Sequence, residues 1–175
     1  MRNNPERFFR QHVEIRFSNE QAALREGPYL SASGDKYVIV LPDMPFPDYV
    51  LREELIHLQK AIDREGYGPA GARAYRALIE NYDAVKSTLK NTPGGNLAIA
   101  DKIRSHIPLR RQLDDAIRFL GYELQEKSLA LEHAQQQYAK QPKILAQIEK
   151  AFRNSLNVYE ADMKILQNMH ALVNR

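Results

Sequence analysis

The stretch YVLREELIH, residues 49–57, places two adjacent glutamates and a histidine inside an otherwise apolar segment. Apolar residues recur around it at helical spacing and predict an α-helix. The expected core stripe consists of Leu51, Leu55, Leu58 and Ile62. Glu54 and His57 lie on one flank of that stripe, and Glu53 lies just beyond them. Carboxylates are uncommon at the edge of a core and are usually paired there, so this helix is the first place to look for a functional site.

Upstream of this helix the sequence predicts two β-strands. HVEIRF, residues 12–17, alternates and is rich in β-branched residues, and KYVIVL, residues 36–41, follows a turn at Ser33-Gly34-Asp35. A short helix is predicted between the strands, over residues 19–26. PDMPFP, residues 42–47, contains too much proline for a regular element and is expected to form a loop.

Downstream, the pattern predicts a helical bundle. Asp48 is expected to cap the first helix, because its side chain can accept hydrogen bonds from the free backbone N–H groups of the first turn. The predicted helices span residues 49–65, 70–90, 99–106, 108–139 and 142–173. We therefore predict a single α+β domain that is mainly helical, with a strand-containing part at 1–47 and a bundle at 48–175.

Composition limits the classes of function. At 175 residues, 43% hydrophobic and 27% charged, the chain suits one globular domain. It has no cysteine, so disulfides, thiol nucleophiles and thiolate zinc sites are excluded. The net charge of +3 is spread among interleaved charges, so nucleic acid is not indicated. No apolar run approaches the roughly 18 residues of a membrane span, and Met1 to Arg10 lacks a secretory signal. The compartment stays open.

The predicted helix at 108–139 also carries carboxylates near its apolar stripe. The stripe consists of Leu113, Ile117, Leu120, Leu124 and Leu131. Glu123 lies on its flank beside Ala116 and Ala130, and Glu126 lies one turn further out. A carboxylate at this position could supply a metal ligand, and Glu123 is preferred because it is expected to face inward more than Glu126.

These two segments together resemble a known family. LREELIHLQK, residues 51–60, followed across a helical spacer by ELQEKSLALE, residues 123–132, is similar to the zincin-like metallopeptidase toxin modules at the C-termini of bacterial polymorphic toxins. Those modules carry a helix of the HExxH or EExxH type and then a helix with a glutamate-rich start. The resemblance covers Tyr37 to about Tyr138. In this chain a glutamate stands where HExxH has its first histidine.

The resemblance implies a zincin-like fold, a divalent metal that is most often zinc, and a protein or peptide substrate. Glu53, His57 and Glu123 would be metal ligands, with Glu126 as a further candidate, and Glu54 would be the general base. A cognate immunity protein would be the second partner.

Two other interpretations fit the same residues. Glu54 and His57 form the ExxH half-motif of di-iron bundles, but such bundles need two, and no other histidine has a glutamate at that spacing. Alternatively, the protein is a non-enzymatic adaptor or immunity-type module. His57 would then only bond to Glu53 or Glu54, and the helix at 142–173 could bind a partner helix.

Overall fold

The computed structural model describes residues 11–18, 29–43 and 47–175. These residues contain three strands and five helices: β1 Val13–Ser18, β2 Tyr29–Ser33, β3 Lys36–Pro42, α1 Asp48–Glu65, α2 Gly68–Asn91, α3 Gly95–Ser105, α4 Ile107–Gln137 and α5 Pro142–Val173. The predicted mainly helical α+β class is confirmed. The helix predicted over residues 19–26 lies outside the described residues. None of the described helices contains a stretch long and apolar enough to cross a membrane.

The chain divides into two compact units, residues 1–77 and 78–175, and the boundary falls inside α2. The first unit holds the sheet, α1 and the beginning of α2. The second holds the rest of α2 together with α3, α4 and α5. The organisation of the chain as one domain stays a prediction.

The central strand of the sheet is β3, with β1 parallel to it on one side and β2 antiparallel on the other. Residues 37–42 are all buried, which explains why this strand is continuously apolar and does not alternate. The predicted turn joins β2 to β3 at Gly34, where a positive φ of 59° suits glycine. Strand β2 was not predicted from the sequence, because only Leu30 and Ala32 point inward in this five-residue strand.

The buried face of α1 matches the predicted stripe only in part: Leu58 and Ile62 are buried, as predicted. Leu55 is 37% exposed and Leu51 is only half-buried. The buried residues are Val50, Glu54, His57, Leu58, Ala61 and Ile62. These positions follow one another at helical spacing, and this face packs against β2 and β3. Glu54 is therefore near the middle of the buried face, and His57 lies on its flank, where it is also buried.

The buried face of α4 is shifted around the helix from the predicted stripe, in the same direction as the buried face of α1. The predicted stripe residues Ile117, Leu124 and Leu131 are only half-buried. The buried residues are Leu113, Ala116, Phe119, Leu120, Glu123, Glu126, Ala130 and Ala134. Leu113 and Leu120 of the predicted stripe are among them, but three of the eight are small alanines, so the larger apolar residues did not mark the whole buried face.

The ends of two helices are fixed by groups that were not predicted to do so. Pro47 occupies the N-cap position of α1, and no side chain caps this helix. The prediction for Asp48 is wrong, because Asp48 lies inside the first turn, where its negative charge faces the positive end of the helix dipole. His106 is exposed and caps α4, and its side chain accepts a hydrogen bond from the backbone N–H of Leu109 at 3.2 Å.

Within the second unit α4 packs along α5, and α3 contacts both. The buried side chains of α5 are Ile148, Phe152, Leu166, Met169 and Val173. Arg104 of α3 donates hydrogen bonds to the carbonyl oxygens of Leu172 and Val173, at 2.7 Å and 3.2 Å. These carbonyls belong to the last turn of α5, which has no intrahelical partner for them, so Arg104 fixes the C-terminal end of the helix.

The hydroxyl group of Tyr37 makes the free energy of unfolding depend on pH in the alkaline range. Its buried hydroxyl donates to the carbonyl oxygen of Gly66 at 3.0 Å, and burial, followed by the nearby Glu65, raises the pKa of Tyr37 from 10.0 to about 12. The unfolded chain loses this proton near pH 10, whereas the folded protein keeps it until about pH 12. The stabilisation is complete below pH 10 and is lost between pH 10 and 12. We expect urea unfolding to show a steeper fall in stability over this range for wild type than for Tyr37→Phe. Equal slopes would contradict this assignment.

Candidate functional site

Four ionisable side chains lie in the buried core. Glu54 is 1% exposed, His57 3%, Glu123 6% and Glu126 2%. Within residues 11–18, 29–43 and 47–175 no other Asp, Glu, His, Lys or Arg side chain is buried. Ionisable groups are almost never this deeply buried unless a counter-charge, a proton or a metal compensates them. All four were among the residues predicted for the site from sequence.

The first pair belongs to α1. Glu54 and His57 are three positions apart, and His57 Nδ1 lies 3.6 Å from Glu54 Oε2. This separation is too long for a hydrogen bond but close enough for an electrostatic contact. Of the two glutamates that sequence left open as partners, Glu54 is the one found in this contact. A carboxylate beside an imidazole orients the ring and makes the imidazole more basic.

Local sequence explains why this pair is buried. The apolar strand β3 leads into the proline-rich segment, and Pro47 sets the start of α1. From that start, helical spacing places Glu54 and His57 on the same face as Val50 and Ala61. This face packs against β2 and β3, so the packing that buries the apolar residues buries the pair as well.

The second pair belongs to α4, where Glu123 and Glu126 are also three positions apart on the buried face. The expectation that Glu123 faces inward more than Glu126 is wrong, since Glu126 is the less exposed of the two. Ala116 and Ala130, about two turns on either side of Glu123, are small residues of this face, and Phe119 and Leu120 lie one turn before Glu123.

Glu123 stands out within this pair. In the described part of the chain, no hydrogen bond or ion pair involves its carboxylate. Burial of a carboxylate is unfavourable unless the group is compensated. A cation held by Glu123 and Glu126 would offset the repulsion between two neighbouring ionised acids.

Glu53 differs from the four buried residues. It lies on α1 but is only half-buried, and it is not one of the buried polar residues. A half-buried carboxylate can keep its hydration, so burial gives Glu53 no need for a metal. Its assignment as the ligand that replaces the first zincin histidine stays a prediction.

A second polar cluster, in the second unit, was not predicted from sequence. Tyr82 donates a hydrogen bond to Asp162 Oδ2 at 2.7 Å, and Lys86 Nζ lies 3.3 Å from the same oxygen. Tyr82 and Asp162 are 80 positions apart. Only the packing of α2 and α5 brings them together, so no local sequence signal could have identified them.

Comparison with known proteins adds no assignment: no family model, no curated protein and no solved structure matches the chain. The resemblance to zincin-like toxin modules therefore stays a hypothesis that rests on residues 51–60 and 123–132.

Proposed function

We propose that the protein is a metal-dependent hydrolase. In this proposal His57, Glu123 and Glu126 hold one divalent cation, Glu54 is the general base, and Glu53 is a further candidate ligand. The observation that carries the proposal is the burial of Glu54, His57, Glu123 and Glu126, the only acidic, basic or histidine side chains that are buried among the described residues. Both segments that resemble the toxin modules contribute to this group.

The chemistry of the donors fits a divalent cation. One imidazole nitrogen and two carboxylate oxygens are the ligand types of catalytic zinc sites, and they also suit manganese and iron. The chain has no cysteine that could compete for the metal. When all three buried glutamates are ionised, they place three negative charges in the core, which a divalent cation would offset in large part.

The role of Glu54 follows from its position. A divalent cation supplies Lewis-acid polarisation of a carbonyl group and lowers the pKa of water. Glu54 is the buried carboxylate beside His57 and would take the proton from the attacking water, then return it to the leaving amine. His57 would hold its ring in place through the contact of Nδ1 with Glu54. The reaction class is hydrolysis of an amide in a protein or peptide.

The biological setting rests on the resemblance alone. As a toxin or effector module, the hydrolase would act on a protein of a target cell and would be neutralised by a cognate immunity protein. We assign no binding surface among the described residues to the substrate protein or to the immunity protein.

A non-enzymatic binding module is the second candidate, and α5 favours it. Ile144, Val158 and Ile165 on this helix are exposed apolar side chains. These residues could contact a partner helix. In that case the buried glutamates and His57 would be a structural group.

A cleavage assay tests the hydrolase proposal. Purified protein is incubated with an unfolded casein substrate and zinc, manganese or iron, and new peptide termini are identified by mass spectrometry. We expect new termini that disappear after chelation with EDTA and return when metal is restored. Cleavage that resists chelation, or no cleavage with any of the three metals, would favour the binding module.

A further inference from the structure

We propose that a cavity in the second unit binds a small anionic amphiphile, meaning a carboxylate that carries an apolar chain. The cavity has a volume of about 360 Å³ and is formed by α2, α3 and α5. This volume lies within the range of pockets that bind small molecules. The proposal is independent of the hydrolase assignment, since none of its residues belongs to that site.

The floor and one wall of the cavity are apolar. Ile99 and Leu166 are buried at its base, and Leu89 and Ile165 also line it. Ile165 is one of the exposed large apolar residues of the chain. An apolar chain lying in the cavity would cover this side chain and remove it from water, which is favourable by about 25 cal/mol for each Å² buried.

The acidic group of the cavity is already neutralised. Asp162 accepts the hydrogen bond from Tyr82 and lies in contact with Lys86, whose ammonium group is 5.0 Å from the centre of the Tyr82 ring. Burial, followed by the hydrogen bond to Asp162, raises the pKa of Tyr82, so this hydroxyl remains a donor at neutral pH. Asp162 is thus satisfied from within the protein and would not repel an anion strongly.

The uncompensated groups of the cavity suit an anionic head group. Lys90 and Asn96 line it, and neither side chain has a hydrogen bond or ion pair with any residue that the structure describes. Lys90 provides a positive charge and Asn96 an amide donor. Asn96 also stands in the first turn of α3, which contains no acidic residue and has no side-chain cap. The partial positive charge of that helix end adds to the attraction.

These features together select one class of ligand. An apolar floor favours a hydrocarbon chain, while Lys90 and Asn96 favour a carboxylate over a neutral or cationic head. We expect the head group to contact Lys90 and Asn96 and the chain to cover Ile165.

Isothermal titration calorimetry with sodium octanoate tests this proposal, and octylammonium serves as a probe of the same length and opposite charge. We expect saturable binding of octanoate below its micelle concentration and binding of octylammonium at least about tenfold weaker. Lys90→Glu should weaken octanoate binding by at least about threefold, and Ile165→Asp by about tenfold. The matched controls are Lys150→Glu and Val158→Asp, exposed changes on α5 outside the cavity.

Three outcomes would overturn the proposal. The first is the absence of saturable octanoate binding. The second is equal affinity for octanoate and octylammonium, which would indicate a purely apolar site. The third is an equal effect of Lys90→Glu and Lys150→Glu, which would indicate a general charge effect and no contact with the head group. Thermal unfolding of each variant verifies that it is folded.

Discussion

Glu54→Gln is expected to abolish hydrolysis while metal binding and the fold are retained. Glutamine has nearly the same shape as glutamate, so it can occupy the buried position beside His57, but it cannot accept a proton. Removal of a general base typically lowers a rate by a factor of about 10² to 10⁴. The measurement is the rate of casein cleavage with metal present, together with the metal content of the same preparation.

The matched control is Glu132→Gln, the same chemical change at an exposed position of α4. It should leave the cleavage rate unchanged. If Glu54→Gln cleaves as fast as wild type, Glu54 is not the base and the proposed mechanism is wrong. If Glu54→Gln loses its metal together with its activity, Glu54 acts as a ligand and the assignment of roles within the group must change.

Gly71→Ala is expected to cause a large loss of stability in the first unit. A Cβ at this position would overlap the carbonyl oxygen of Gly66 and would lie only 2.7 Å from both the carbonyl carbon of Gly66 and the hydroxyl of Tyr37. The backbone between α1 and α2 would have to move, which would break the hydrogen bond from Tyr37 to Gly66. We expect a loss of about 3 kcal/mol in the free energy of unfolding, measured in urea.

Gly121→Ala is the control, because it makes the same chemical change inside α4. A Cβ there meets only the terminal methyl of Met163, at the ordinary contact distance of 3.9 Å. Alanine is a better helix former than glycine, so this variant should be as stable as wild type or up to about 1 kcal/mol more stable. Equal destabilisation by both changes would contradict the close approach of Gly71 to the carbonyl group of Gly66.

Much of the secondary structure was predictable because it depends on local signals. Proline and glycine mark the ends of most helices, and the limits of α5 match the prediction from Pro142 to Val173. The short strand β2 was missed because a five-residue segment containing two serines becomes a strand only by pairing with β3. The N-cap of α1 was also predicted incorrectly. Pro47, and not Asp48, takes the N-cap position, which composition alone does not reveal.

The buried ionisable residues were singled out from the sequence, but their positions on the helices were predicted incorrectly. Glu54, His57, Glu123 and Glu126 were selected because charged residues so near apolar stripes need a reason. They were placed on the flanks of the leucines, whereas they lie on the buried faces of α1 and α4. Which side of an amphipathic helix is buried depends on its packing partners, and three of the eight buried residues of α4 are alanines. Leucine positions such as Leu55 therefore misled the prediction.

Metal content, determined by elemental analysis of protein purified without chelator, tests the central claim most directly. We expect about one divalent ion per chain in wild type and in His133→Ala, an exposed histidine of α4 that serves as control, and loss of that ion in His57→Ala. No bound metal after incubation with zinc, manganese or iron, or equal metal content in wild type and His57→Ala, would contradict the account. The buried glutamates and His57 would then be a structural group, and the search for function would turn to a protein partner.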